Sequence, residues 1–360
     1  MTDSAVLPTP EELRHCVPLP EAAAEQIAEH RAEIAGVLDG VDDRLLVIVG
    51  PCSAHDPLAT VDYARALARL AAEYDGELCV VLRAYLEKPR TSIGWPGLLL
   101  DPGLDDWSAG PAERVARPIG DVRAGLPVGR RLLVELADLG LPLAYEFVEP
   151  LLAPYVTDLV SWAAIGARTV ESPAHRRLAS ALPMPVGCKN RADGDVGAAV
   201  DAVTVAAAGH SVVGIDARGR AAVRRTGGNP YAHVVLRGGA HGPNFDADSV
   251  AGALRLLESD GLPARVVVDA SHGNSGKDHT RQPGVAADLA AQIAGGQRGI
   301  VGVMLESFVH PGCQPLGPRL AYGVSVTDAC LGLDDTAEVF AVLAEAVSAR
   351  RGASELAVSR

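Results

Sequence analysis

Short runs of apolar, β-branched residues recur along the chain, and most end in Gly, Pro or a charge before a helix-forming stretch. Eight such runs read as strands: Leu45–Gly50, Leu78–Ala84, Leu141–Val148, Trp162–Arg168, Val186–Asn190, His233–Gly239, Arg265–Asp269 and Val301–Ser307. Several lack the in–out alternation of a strand with one wet face, as expected of parallel strands covered on both sides. Eight strands alternating with helices predict an α/β fold, a (β/α)8 TIM barrel. An open doubly wound dinucleotide sheet has little support, because no GxGxxG follows the first run.

The same pattern divides the chain. Residues 1–44 read as an N-terminal helical extension whose Ala-rich stretch Glu21–Leu38 predicts an amphipathic helix, and 45–350 as the catalytic barrel. Within the barrel, 211–226 carries alternating apolar positions around Asp216-Ala217-Arg218-Gly219, which predicts an inserted β-hairpin. Asp101–Gly129, rich in Gly, Pro and Asp, reads as a long βα loop, and 351–360 as a C-terminal tail.

Composition narrows the function classes. The 360 residues are 48% hydrophobic, enough for an ordinary globular core. A net charge of −13 speaks against nucleic acid or an anionic membrane as partner. An anionic substrate would need its basic groups gathered locally. Six cysteines (16, 52, 79, 188, 313 and 330) form no CxxC pair, which predicts a reduced, cytoplasmic protein. Neither a signal peptide nor a membrane-spanning run is expected. Of 32 basic residues only Lys88, Lys189 and Lys277 are lysine. Lysine is thereby enriched for places where a planar guanidinium fails as a compact point charge.

Active sites of such barrels lie at the C-terminal strand ends. Cys52 follows the first run, and Arg83 with Lys88-Pro89-Arg90-Thr91 the second; Glu146 stands at the end of the third and Arg168 at that of the fourth. Lys189, Arg237, His272 and Glu306 follow in order, with Asp328 on the loop beyond. These groups sort into two sets. Arg83, Lys88, Arg90, Arg168, Lys189 and Arg237 are cations, suited to carboxylate and phosphate oxygens. Cys52, His272, Glu306 and Asp328 would make a mixed S/N/O site for a divalent transition metal. A lone buried Cys is more often packing, so it is the shared position that carries the reading. The chain has no GxSxG, HExxH or GxxxxGK[ST]. A Cys52–His55 nucleophilic pair is disfavoured, since Asp56-Pro57 reads as the cap of the next helix.

The segments GPCSAHDP (50–57), LRAYLEKPRTSIGWPGLLLDP (82–102), IGARTVES (165–172), VGCKN (186–190), LRGG (236–239), VDASHGNSGK (268–277), GVMLES (302–307) and YGVSVTDACLG (322–332) closely resemble the type I 3-deoxy-D-arabino-heptulosonate 7-phosphate (DAHP) synthases. The resemblance runs from about residue 8 to 351. It implies a barrel with an N-terminal extension and inserted hairpin, and condensation of phosphoenolpyruvate with erythrose 4-phosphate in the shikimate pathway. It implies Cys52, His272, Glu306 and Asp328 as ligands of one divalent metal ion, Mn2+ first, with Fe2+, Co2+ or Zn2+ as alternatives. Arg83, Lys88, Arg168, Lys189 and Arg237 correspond to the phosphoenolpyruvate cage, helped by Gly166-Ala167 amides and by Glu146 through a water. Lys88, Pro89, Arg90 and Thr91 correspond to the aldose phosphate contact, with Arg90 on its phosphate; Asp328 borders the substrates as well. Lys88, Glu146 and His272 are the expected catalytic residues, and a homo-oligomer, dimer or tetramer, is the expected assembly.

Two alternatives remain at this point: a relative acting on another aldose phosphate, against which the KPRT run argues, and a non-catalytic metabolite-binding regulator. Three stretches depart from the family pattern: residues 107–130, the hairpin 211–226 with Pro150–Pro154, and Pro183.

Overall fold

The structure, a computed structural model, describes residues 5–104 and 120–358, with side chains to 353. Its eight core strands are β1 (Leu45–Gly50), β2 (Leu78–Arg83), β3 (Leu143–Glu146), β4 (Trp162–Ile165), β5 (Val186–Lys189), β8 (Ala232–Leu236), β9 (Val266–Asp269) and β10 (Ile300–Glu306). They close in the order β1-β10-β9-β8-β5-β4-β3-β2, every pairing parallel. The barrel expected from the hydrophobic pattern is therefore present. Most of the expected runs extend past their last ladder residue at the C-terminal end, and that overrun is where side chains turn into the barrel mouth.

One layer of side chains fills the interior: Leu46, Ile48, Val81, Ala144, Trp162, Ala164, Val235, Val267 and Met304. The other strand face packs beneath the helices. Trp162 fits because position 187 is glycine; a Cβ there would meet its ring at 2.4 Å. The indole N–H donates to His233 Nε2 at 3.3 Å, and His233 Nδ1 bonds Tyr231 O at 2.9 Å, so the buried imidazole is neutral in this tautomer. Burial holds its pKa down to about 3.

Helices α1 (Pro10–Cys16) and α2 (Glu21–Leu38) form the extension. Thr9 and Glu12 close a reciprocal capping box on α1. Ile34, Val37 and Leu38 of α2 join the interior layer and close the N-terminal end of the barrel. Between strands lie α3 (Pro57–Glu73), α4 (Val122–Ala137), α5 (Pro173–Ala181), α6 (Gly197–Ala207), α7 (Ala247–Ser259) and α8 (Gln282–Ala294); α9 (Leu333–Val358) follows β10. Asp56 caps α3 through Leu58 and Ala59 N–H, as its place before Pro57 predicts. The hairpin is β6 (Ser211–Ile215) with β7 (Ala221–Arg225), antiparallel. Glu11 N–H donates to Ala217 O at its tip, 2.8 Å away. No helix among the described residues is long and apolar enough to cross a membrane.

Two expectations need correction. Asp101–Gly129 is not all loop, since Val122–Gly129 belongs to α4; residues 105–119, with most of the departing stretch 107–130, lie outside the described residues. Gly125, Pro127 and Gly129 disguise the helix in the sequence. The glycines have a packing reason: a Cβ at 125 would meet Leu99 O at 2.2 Å, and one at 129 would meet the Leu99 side chain at 2.7 Å. The helix is capped by Asp121 and buries Leu126, Leu132, Leu133 and Leu136. At the other end of the chain, α9 runs past residue 350, so 351–358 is helix rather than tail.

Arg130, on α4, is fully buried and joins three elements. It bonds Val17 O at 2.8 Å, Tyr155 O at 2.9 Å and both oxygens of Asp158 at 2.8 and 2.7 Å. Arg130→Ala leaves those acceptors without their donor and should lower stability by roughly 3 kcal/mol. Urea unfolding checks this, and an unchanged midpoint at unchanged slope would contradict it.

Candidate active site

Every candidate residue comes from a strand end or the loop after it, so the closure of the barrel decides their company. A pocket at the mouth is lined by Lys88, Pro89 and Arg90 on one side, and by Glu146, Ala167 and Arg168 on the next. Lys189, Ala192 and Arg237 continue the wall, and His272, Lys277, Thr327 and Asp328 complete it. The cations and part of the proposed ligand set thus meet in one cavity.

Arg83 stands apart from expectation. It is 1% exposed and lies beneath the pocket rather than in its lining. Its guanidinium bonds Glu306 Oε1 at 2.7 Å, Pro51 O at 3.2 Å and Cys52 O at 3.3 Å, and lies 4.1 Å above the Tyr85 ring. A fourth N–H reaches Met304 Sδ at 3.2 Å, so most of its donors are turned to the protein. Thr91 is exposed and outside the lining, and Gly166 borders the pocket only through Glu146. A Cβ on Gly166 would meet Glu146 Oε1 at 2.1 Å, so only glycine lets that carboxylate lie against the turn after β4. Arg90 likewise lies across Gly94, where a Cβ would meet its Nε at 2.5 Å.

Under the cations the ligand candidates gather. Cys52 Sγ and carboxylate oxygens of Glu306 and Asp328 all lie within 4.8 Å of one another. His272 Nε2 is 3.5 Å from Glu306 Oε1, and its Nδ1 is 2.9 Å from Asp269 Oδ2. His272 has φ +53, an uncommon conformation for a non-glycine residue and one that collects at functional sites. Lys88 Nζ donates to Cys52 O and Cys52 Sγ, both at 2.9 Å, and the Asp328 N–H points at the same sulfur from 3.3 Å. Cys330 Sγ sits 3.4 Å from the Cys52 amide.

The electrostatics follow from burial against charge. Burial alone would raise Asp328, but Lys88, His272 and Lys277 outweigh it and hold the carboxyl at about 2. Glu306 is likewise held below its ordinary range, where His272, Arg83 and Lys88 overcome burial. Burial, then the Glu306 charge, pushes the Cys52 thiol up to about 11. Two ionised carboxylates beside a thiol and an imidazole are a donor set suited to a divalent transition metal, whose charge would offset the repulsion that keeps the sulfur protonated. Ligands at about 2.0–2.3 Å from one ion stand about 3–4 Å apart; Cys52, Glu306 and Asp328, within 4.8 Å of one another, are brought together on this scale, while His272 stands outside that group.

Sequence reasoning missed three groups. Asp269, wholly buried at the end of β9, is 3.2 Å from Lys189 Nζ and 2.9 Å from His272, tying the cation set to the ligand set. A charge ending the apolar run VVVD was the available signal. Asn190 accepts the Arg237 amide at 2.7 Å and donates to Gly238 O at 2.9 Å, fixing where the LRGG turn leaves β8. Lys277, which was not among the candidate site residues, lines the pocket and pairs with Asp328 at 3.2 Å.

Residues 21–341 match the family model described as the DAHP synthetase I family. The Tyr-sensitive phospho-2-dehydro-3-deoxyheptonate aldolase of Salmonella typhimurium is 48% identical over 339 residues, 93% of this chain and 92% of the relative. The phospho-2-dehydro-3-deoxyheptonate aldolase of Corynebacterium glutamicum is 44% identical over 358 residues, 97% of this chain and 94% of the relative. Among solved structures, that of the phospho-2-dehydro-3-deoxyheptonate aldolase from Francisella tularensis superposes with a TM-score of 0.92 at 41% identity, covering 97% of this chain and 99% of that one. With matches spanning nearly its whole length and a barrel mouth carrying the family's motif residues, the chain belongs to the DAHP synthetase I family.

Proposed function

We propose that the chain is a metal-dependent 3-deoxy-7-phosphoheptulonate synthase. It condenses phosphoenolpyruvate and erythrose 4-phosphate, with water, to DAHP and phosphate. One observation supports this above the others: in a protein of net charge −13, the cations Lys88, Arg90, Arg168, Lys189 and Arg237 converge on one pocket that His272 and Asp328 also line, with Cys52 and Glu306 close beside Asp328. Two phosphorylated anions need such a cage to be brought together against their repulsion.

In this reading Arg168, Lys189 and Arg237 hold the carboxylate and phosphate of phosphoenolpyruvate, with the Ala167 amide beside them. Arg90 takes the phosphate of the aldose, and Lys88 stands between the two substrates. Arg83 acts one layer below, by orienting Glu306 and the Cys52 carbonyl. Cys52, His272, Glu306 and Asp328 would hold a divalent ion, Mn2+ first among the candidates, which when bound supplies Lewis acidity toward a carbonyl oxygen. C3 of phosphoenolpyruvate forms the new bond to the aldehyde carbon. Water adds at C2, and the C2–O bond to phosphate breaks, so the cage also stabilises the leaving charge. Glu146, pinned by Gly166, and Lys88 are the pocket groups that reach water and the nascent hydroxyl. We further propose a reducing, cytoplasmic setting, in keeping with six free thiols.

The direct test is product formation: erythrose 4-phosphate should be turned over and arabinose 5-phosphate should not. The reverse preference would move the chain to another aldose, and no turnover with either would leave a binding protein.

Metal dependence has its own check. Chelation should abolish turnover and Mn2+ restore it, while His272→Ala should lose bound metal in elemental analysis together with activity. Full activity in verified apo-protein would overturn the assignment.

Lysine at 88 and 189 gives a further prediction. Lys189 is 3% exposed, and its ammonium stands beside Asp269 and 5.9 Å from the Tyr85 ring, space that a guanidinium would overfill. Lys189→Arg and Lys88→Arg should fold normally and lose at least ~10-fold in kcat/KM, about 1.4 kcal/mol of transition-state stabilisation. Lys277→Arg, at a half-exposed side chain, should lose less. Wild-type kinetics in both pocket variants would show that the charge alone suffices.

A further inference from the structure

Glu87 precedes Lys88 in the irregular stretch after β2, and the two side chains go to different partners. Lys88 reaches over the end of β1 to Cys52. Glu87 turns the other way, is 1% exposed, and takes no part in the pocket. One oxygen accepts the Tyr145 hydroxyl at 2.9 Å, from β3; the other accepts the Glu149 N–H at 2.8 Å, just beyond β3. Tyr145 is itself buried and packs on Phe147, with ring centres 5.0 Å apart. The loop carrying Lys88 and Arg90 is closed at its neck by two backbone bonds, Lys88 N–H to Pro96 O at 2.8 Å and Leu99 N–H to Leu86 O at 3.0 Å. Glu87 sits in that neck. A buried carboxyl costs several kcal/mol of solvation unless it is bonded, and among the described residues no charged side chain is bonded to this one. What it does is fasten the loop to the end of the neighbouring strand, β3.

We propose that Glu87 is a positioning residue that sets where Lys88 and Arg90 stand, by clamping the neck of the 88–96 loop to the end of β3. Burial, and the nearby Glu149 charge, push the Glu87 carboxyl up to about 8, although its bonds from Tyr145 and Glu149 work against the rise. Near neutral pH the acid form therefore predominates, and glutamine is its isostere. The amide oxygen accepts from Glu149, and the Tyr145 oxygen accepts from the amide nitrogen.

The kinetic arm rests on the proposed reaction; the exchange arm does not. In Glu87→Ala, amide exchange at Lys88 and Leu99 should quicken at least ~10-fold, while β9 and β10 amides keep their protection. Turnover should fall at least ~10-fold, the loss lying in kcat and in KM for erythrose 4-phosphate. KM for phosphoenolpyruvate should rise less than KM for erythrose 4-phosphate, since Arg168, Lys189 and Arg237 stand at the ends of other strands and only Lys88 of its cage is displaced. Glu87→Gln should restore both readouts to near wild type, and Tyr145→Phe, which removes one of the two anchors, should fall between. Unchanged exchange at Lys88 and Leu99 in Glu87→Ala would overturn the proposal, as would a loosened neck with wild-type kinetics, or Glu87→Gln as impaired as alanine. If Glu87→Ala does not fold, Tyr145→Phe decides, and wild-type exchange in it counts against the clamp. A wild-type protein that makes no DAHP would sink the functional reading and leave the exchange result to judge the clamp alone.

Discussion

The barrel mouth depends on a chain of paired polar and charged groups that crosses it at the floor of the pocket. Lys189 faces Asp269, Asp269 faces His272, His272 faces Glu306, and Glu306 is bonded by Arg83. These groups come from β5, β9, the turn after β9, β10 and β2. None of the four charged members could be taken from water alone, because an isolated buried ion is far too costly. Each is tolerable only where its neighbours stand. The strand register that closes the barrel is therefore also the condition for burying these charges.

Such a network is weak as a source of net stability, since hydrophobic side chains of similar volume would hold a barrel as well. Its value lies in fixing direction. His272 is held at an uncommon backbone angle with a carboxylate on either side, and Arg83 keeps Glu306 from turning away. A site organised in advance need not reorganise when charge develops on the reactants. Arg83 shows how a cation at a strand end is itself held: a buried carboxylate and two carbonyls accept from it.

The fold was legible because parallel strands buried on both faces leave unbroken apolar runs, and eight of them alternate with helices. Helix α4 was not, because Gly125 and Gly129 signal loop to a local reading, while their purpose is contact with Leu99, distant in sequence. At the site, strand-end position identified most of the pocket lining. It does not distinguish a residue facing the cavity from one a layer below, such as Arg83 and Asp269, both buried and outside the pocket lining. Depth at the mouth is set by how far each strand extends past its last ladder bond, a quantity that depends on its neighbours. The clamp at Glu87 was invisible for the same reason: its partners, Tyr145 and the Glu149 amide, belong to another strand.

The hairpin β6–β7 enters the chain between α6 and β8, and β5 pairs directly with β8 as though nothing intervened. It is attached where the chain enters β8, the opposite end of the strand from the mouth. Its tip is engaged by the N-terminal extension rather than by any catalytic loop. The hairpin and the extension therefore brace one another at their shared contact, and because β6 also packs on Pro150–Leu152, just after β3, the hairpin joins the closed end of the barrel to a turn on the side of the mouth.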